Sequence, residues 1–402
     1  LLPSPAQIIV STCHSLGAED THTACRSLST TKRYPPSFGL KFSPIYIYER
    51  SYTTSYIPFQ PLPGVDSEVD VKNAYTNIVL VCRNWHKLAI RFLYRNLKIP
   101  DSESDVVWTR NHPEYGQWVQ RAILSYSSTT MSDSQTRSSI AILALCPNIE
   151  VLIQPQHPPL SNPFLEFNAL SPQLPSLKRL EWWNYGAGFN TLLSVLSAAP
   201  NLEYLFLGLP GFALVNSIPA HTPDIHLPSL RTLRLSILLT PASEYLTRAI
   251  SKWSLPSLDT LVSDLPLGLN KVWTSHGSRL RVVELEEYDI PCLQGCPALR
   301  ELNCSLPTSP LRGESTSYTS VTTIQYHAAS KSLTPGYLEQ HFLPLQLWFP
   351  NLECLRIYGP LAALLVDGQF PAIFQRLSNQ GVYIVEIIDE NGLVVSVYRP
   401  ES

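Results

Sequence analysis

The chain has 402 residues, 44% hydrophobic and 15% charged, and its 29 basic and 32 acidic side chains leave a formal net charge of −3. That near-balance gives no general attraction to nucleic acid or to an anionic membrane surface. No apolar run approaches the ~18 residues of a membrane-spanning helix, the longest candidate being Leu361 to Val366.

Residues 1–70 are rich in Ser, Thr, Pro and Tyr and hold no lasting apolar period. They read as a disordered or poorly packed leader. Leu1 to Val10 has neither the basic start nor the long apolar stretch of a secretory signal. From Ala74 to Leu97 the pattern predicts helix, with Val81, Trp85, Leu88 and Phe92 on one face and Arg83, Lys87, Arg91 and Arg95 on another. Residues 71–100 therefore form a short helical segment, and 101–133 a polar connector.

From 134 to 360 one phrase recurs: Pro-x-Leu or Pro-x-Ile followed by continuing alternation. It opens at Pro147, Pro175, Pro200, Pro228, Pro256, Pro297 and Pro350, with first gaps of 28, 25, 28 and 28 residues. Weaker copies begin at Leu280 and Val321, which makes nine units from Ile149 to Ile357. The alternating end of each phrase predicts a strand with one buried face. The intervening stretches carry helical spacing, as in Leu246, Ala249, Ile250 and Trp253 after Thr240-Pro241. Proline cannot continue a helix, so each one stops the preceding helix and turns the chain into the strand. Residues 361–402 predict a cap: a helix from 371 to 379, then two strands joined through Asn391-Gly392.

The period and the Leu-x-x-Leu-x-Leu phrase are those of leucine-rich repeats. The expected fold is an α/β solenoid with a curved parallel sheet and convex helices. One departure is that the Asn or Cys after the last strand leucine is replaced by Tyr185, Pro210, Leu238, Pro266, Tyr288 and Pro360.

Leu80-Val-Cys-Arg-Asn-Trp85-His-Lys-Leu88-Ala89, running on to Leu97, resembles the second half of an F-box. With the repeats behind it, the chain resembles the F-box and leucine-rich-repeat proteins of mushroom-type fungi. The family's first helix reads Leu-Pro-x-Glu-Ile-Leu, where this chain has Pro61 to Asp70, so the motif is incomplete at its N-terminal half. The resemblance implies a substrate-recognition adaptor of an SCF-type, cullin-RING ubiquitin ligase. Leu80, Val81, Cys82, Arg83, Trp85, Leu88 and Ala89 would contribute to the surface for a Skp-type adaptor, which links to the cullin. The alternative is a repeat scaffold that binds a protein without a ligase role.

No glycine-rich phosphate loop, metalloprotease helix or nucleophile elbow occurs, so the chain does not read as an enzyme. The eight cysteines are scattered: Cys146, Cys296, Cys304 and Cys354 read as small core residues. Cys292 and Cys296 lack the second pair of a zinc site, so no metal or cofactor is expected. Free thiols fit an intracellular, reducing compartment, cytoplasmic or nuclear.

The remaining function is protein binding on the concave face of the repeats, where residues between the buried leucines point. The candidates are Arg179, Glu181, Trp183, Tyr204, Phe206, Arg234, Glu284 and Arg356, expected to stand outside the core. Exposed aromatics are typical binding anchors. The competing reading is that a loop covers Trp183 and its neighbours.

Overall fold

Alternation over four to six residues suits a strand, and parallel strands need a crossover long enough for a helix. A computed structural model describes residues 58–59, 90–91, 94–99, 113–124, 143–154, 173–183, 189–209, 224–237, 241–264, 268–286, 290–305, 317–328, 334–342, 344–359, 369–381, 383–389 and 393–400. Within these the protein is an α/β structure built on one sheet of 13 strands.

The first strands are β1 (Asn96–Ile99), β2 (Arg121–Leu124), β3 (Val151–Gln154), β4 (Arg179–Trp183) and β5 (Tyr204–Leu209). Next come β6 (Thr232–Ile237), β7 (Thr260–Ser263), β8 (Val282–Leu285) and β9 (Glu301–Ser305). The last are β10 (Thr323–His327), β11 (Cys354–Tyr358), β12 (Ile384–Ile388) and β13 (Val394–Tyr398). Each pairs with the next in chain order, and all pairings are parallel but the last. Each of the nine phrases supplies one strand, β3 to β11.

The crossovers carry α1 (Pro113–Gly116), α2 (Phe189–Ala198), α3 (Pro241–Ile250), α4 (Asn270–His276), α5 (Ile290–Gly295), α6 (Pro335–Phe342), α7 (Leu345–Trp348) and α8 (Gln369–Gly381). The core lies between these helices and one sheet face. Leu180, Leu205, Leu233, Leu261, Val283, Leu302, Ile324, Leu355 and Val385 are register partners along nine strands, each at most 1% exposed. Leu196, Ile250, Trp273, Phe342 and Phe374 meet them from the helices.

Register is tied at the start of each strand. The Arg95 carbonyl accepts both the Gln120 and Arg121 N–H groups, and the Gln120 carbonyl both Glu150 and Val151. The pattern continues through Glu150, Lys178, Glu203, Arg231, Asp259, Arg281, Arg300 and Thr322, with N···O distances of 2.7 to 3.2 Å.

The prolines do more than stop helices. Pro175, Pro200, Pro228, Pro256, Pro297 and Pro350 each hold the second position of a four-residue turn, closed by a leucine N–H such as Leu177 to the Leu174 carbonyl at 3.1 Å. The fixed φ of proline suits that position. The residue after proline then reaches back one unit. Asn201 Nδ2 donates to the Pro175 carbonyl at 2.8 Å, Ser257 Oγ to Pro228 at 2.6 Å and Asn351 Nδ2 to Thr319 at 2.7 Å.

Three expectations change. Asn96 and Leu97 are strand rather than helix, because the Arg95 carbonyl and β1 are paired to β2. The sheet thus begins before Ser134, with β1 inside the stretch read as helical and β2 inside the stretch read as connector. Cys354 lies on the sheet face away from the helices, half-buried, between Thr323 and Ile384 in register, whereas Cys146, Cys292, Cys296 and Cys304 are core thiols. The middle units are shorter than the first, as the phrases at Leu280 and Val321 had placed them: Thr260, Val282, Glu301 and Thr323 are successive partners. Their close helix packing needs Gly277, where a Cβ would overlap the Gly295 carbonyl.

Placing a charge at Leu205 or Leu233, both fully buried, should cost on the order of 4 kcal/mol or more. Urea unfolding of Leu205→Asp and Leu233→Asp checks it, and a midpoint equal to the parent's would refute the register.

His276 gives a pH test. Its Nε2–H donates to the Ile250 carbonyl at 3.0 Å, and burial lowers its pKa from 6.5, against the raising effect of that hydrogen bond. The unfolded chain therefore takes up a proton that the folded chain resists, so this contribution is full above pH 6.5 and falls as pH drops below it. His276→Gln should show a shallower loss of stability from pH 7.5 to 5.5 than the parent.

Candidate functional site

Strand side chains alternate between faces, so the register that aligns the leucines also aligns the residues between them. Arg179, Tyr204, Thr232 and Thr260 form one column on the face away from the helices. Glu181, Phe206, Arg234, Val262, Glu284, Asn303, Gln325, Arg356 and Glu386 form a second. All eight candidate binding residues belong to this face, Trp183 lying two residues beyond Glu181.

At the β4–β6 end the residues expected to stand free are buried. Trp183, Tyr204 and Phe206 form their own apolar cluster and are 6%, 3% and 0% exposed. The Trp183 and Phe206 rings meet edge-on at 5.2 Å. Trp183 lies over Gly208, where any Cβ would overlap its ring. Arg179 Nε bonds Glu181 Oε1 at 2.6 Å, and its guanidinium sits 4.1 Å from the Tyr204 ring centroid. Burial raises the Tyr204 pKa, opposed by Arg179 and Arg234. Arg179, Glu181 and Arg234 are also buried, so the charges here are internal to the fold. Parallel strands are usually covered on both faces, and β4 and β5 are buried at every position. This favours the covered reading of Trp183 and its neighbours.

Along the same column Glu284, Asn303 and Gln325 are still buried, at 9%, 0% and 1% exposed, and the face opens at β11 and β12. Arg356 Nε pairs with Glu386 Oε2 at 2.7 Å, with side-chain exposures of 35% and 22%. The Glu284 carboxylate accepts the backbone N–H of Phe59 at 2.8 Å. The Phe59 ring packs 5.3 Å from His327 and 5.1 Å from Tyr358. Within the leader, then, Pro58 and Phe59 are half-buried rather than loose; an aromatic ring finds an aromatic seat there. Burial lowers the His327 pKa from 6.5.

Alternation carried two residues past Gln325 and Arg356 would have found His327 and Tyr358. Nothing in the sequence pairs Phe59 with Glu284, 225 residues away.

Leu80, Val81, Cys82, Arg83, Trp85, Leu88 and Ala89 lie outside the described residues. Just beyond them, Ile90 and Arg91 are helical and Arg91 is exposed. Tyr94 stacks on Tyr115 at 4.5 Å, and Tyr115 on Trp118 at 5.3 Å, joining this end to the first unit of the sheet. Among the described residues no cluster of three or more His, Cys, Asp or Glu could hold a metal, and no helix is long and apolar enough to cross a membrane. No protein-family model matches the chain, and no curated protein matches it.

Because Phe206 is fully buried, Phe206→Ala should lose about 3 kcal/mol of stability, as large-to-small core changes do. Thermal and urea melts check this. An unchanged melting temperature would mean that Phe206 packs against nothing fixed.

Proposed function

We propose that this chain is a leucine-rich-repeat protein that holds a protein partner on its sheet face and serves as substrate-recognition adaptor of an SCF-type ubiquitin ligase. The observation that carries the reading is the sheet itself: nine phrases, seven of them opened by proline, give nine parallel strands in chain order. Such stacking creates an extended surface suited to macromolecules rather than to a small substrate. The ligase part is supported by the F-box-like stretch from Leu80 to Leu97, whose last two residues open β1. In this role Trp85, Leu88 and Ala89 pack on a Skp-type adaptor and the repeats present the target.

The test is co-purification of the full chain with a fungal Skp-type adaptor and cullin. The expected result is a stable ternary complex that Trp85→Ala with Leu88→Ala weakens by about tenfold or more, the scale of losing anchor residues. Failure of the unaltered chain to retain the adaptor would overturn the ligase role and leave the repeat scaffold.

A further inference from the structure

The seat of Phe59 has the parts of a peptide site. A carboxylate on β8 accepts a backbone N–H, which any residue other than proline can offer. Two aromatic side chains, His327 on β10 and Tyr358 on β11, flank a ring. The backbone contact is indifferent to sequence, while the aromatic slot selects for it. Hydrogen bonds to a charged acceptor are the stronger kind.

The occupant is held under strain. Phe59 has φ of 55°, the left-handed region that a β-carbon disfavours, and among the described residues it is the sole non-glycine recorded there. What keeps it seated is its covalent tether, which raises its local concentration. Apolar surface also runs on past the seat. Val397, opposite Glu386 on the same face, is 43% exposed.

We propose that the face between Glu284, His327 and Tyr358 binds an aromatic residue of a peptide segment, and that Pro58–Phe59 is its tethered self-ligand, which a partner must displace. This deepens the protein-binding half of the function above and makes no use of the F-box-like helix.

The probe is a fluorescent peptide with the sequence of residues 56–62, Tyr-Ile-Pro-Phe-Gln-Pro-Leu, titrated by anisotropy into the full chain. Phe59→Ala should bind it at least about tenfold more tightly than the parent, since the tethered competitor is gone. Adding Glu284→Gln or Tyr358→Ala to that variant should reverse the gain, and a peptide with Ala for its Phe should not bind. Equal binding by parent and Phe59→Ala, or binding indifferent to the peptide's Phe, overturns the proposal. A second measurement needs no variant. Excess peptide should speed hydrogen exchange of the Phe59 amide in the parent, and unchanged exchange at saturating peptide also overturns it. Neither readout involves the Skp-type adaptor, so failure here is distinct from failure of the ligase role.

Discussion

The fold depends on a single repeated contact, the carbonyl that accepts two successive N–H groups at the start of the next strand. A parallel sheet has no hairpin turn to set its register, and a slip of one residue would move every buried leucine to the opposite face. From Arg95 to Thr322 this contact recurs at each strand junction. It brings Leu180, Leu205, Leu233 and Leu261 into one column at 0% exposure. Each fully buried leucine stabilises the fold by about 2 kcal/mol relative to an exposed one, and the column makes that contribution continuous from unit to unit.

The same register decides what the opposite face holds. At β4–β6 it stacks an ion pair, a guanidinium over a tyrosine ring, and an indole crossing Gly208. The Arg179–Glu181 pair places its two charges against each other in a buried setting where an unpaired charge would be costly. Farther along, Arg356 and Glu386 meet near solvent, where a pair contributes little to stability. One face thus divides into a fully buried end and a partly exposed end at β11 and β12, and Phe59 packs against Tyr358 at the second.

Irregular units are accommodated by local substitutions of chemistry. The asparagines expected after each strand are missing, and the bonds between units come instead from Asn148, Asn201, Ser257 and Asn351 at the proline turns before the strands. The short middle units are possible because Gly277 lets one backbone approach the next at Gly295.

The sequence alone determined the strands β3 to β11 and their inward leucines, since both follow from alternation and, in seven of the nine phrases, from the proline that opens them. It determined equally that Arg179 stands beside Tyr204 and Glu181 beside Phe206, because equal spacing makes them register partners. Only the tertiary structure decided that Trp183, Tyr204 and Phe206 are buried, because exposure depends on what covers a face and no local period reports that. The first strands, β1 and β2, were hidden for a related reason. Asn96–Ile99 is the short tail of a helical pattern, and it becomes a strand by pairing with Arg121–Leu124. Phe59 was the least legible of all: its partners Glu284, His327 and Tyr358 come from three strands more than 220 residues away, and contacts at that separation leave no periodicity to read.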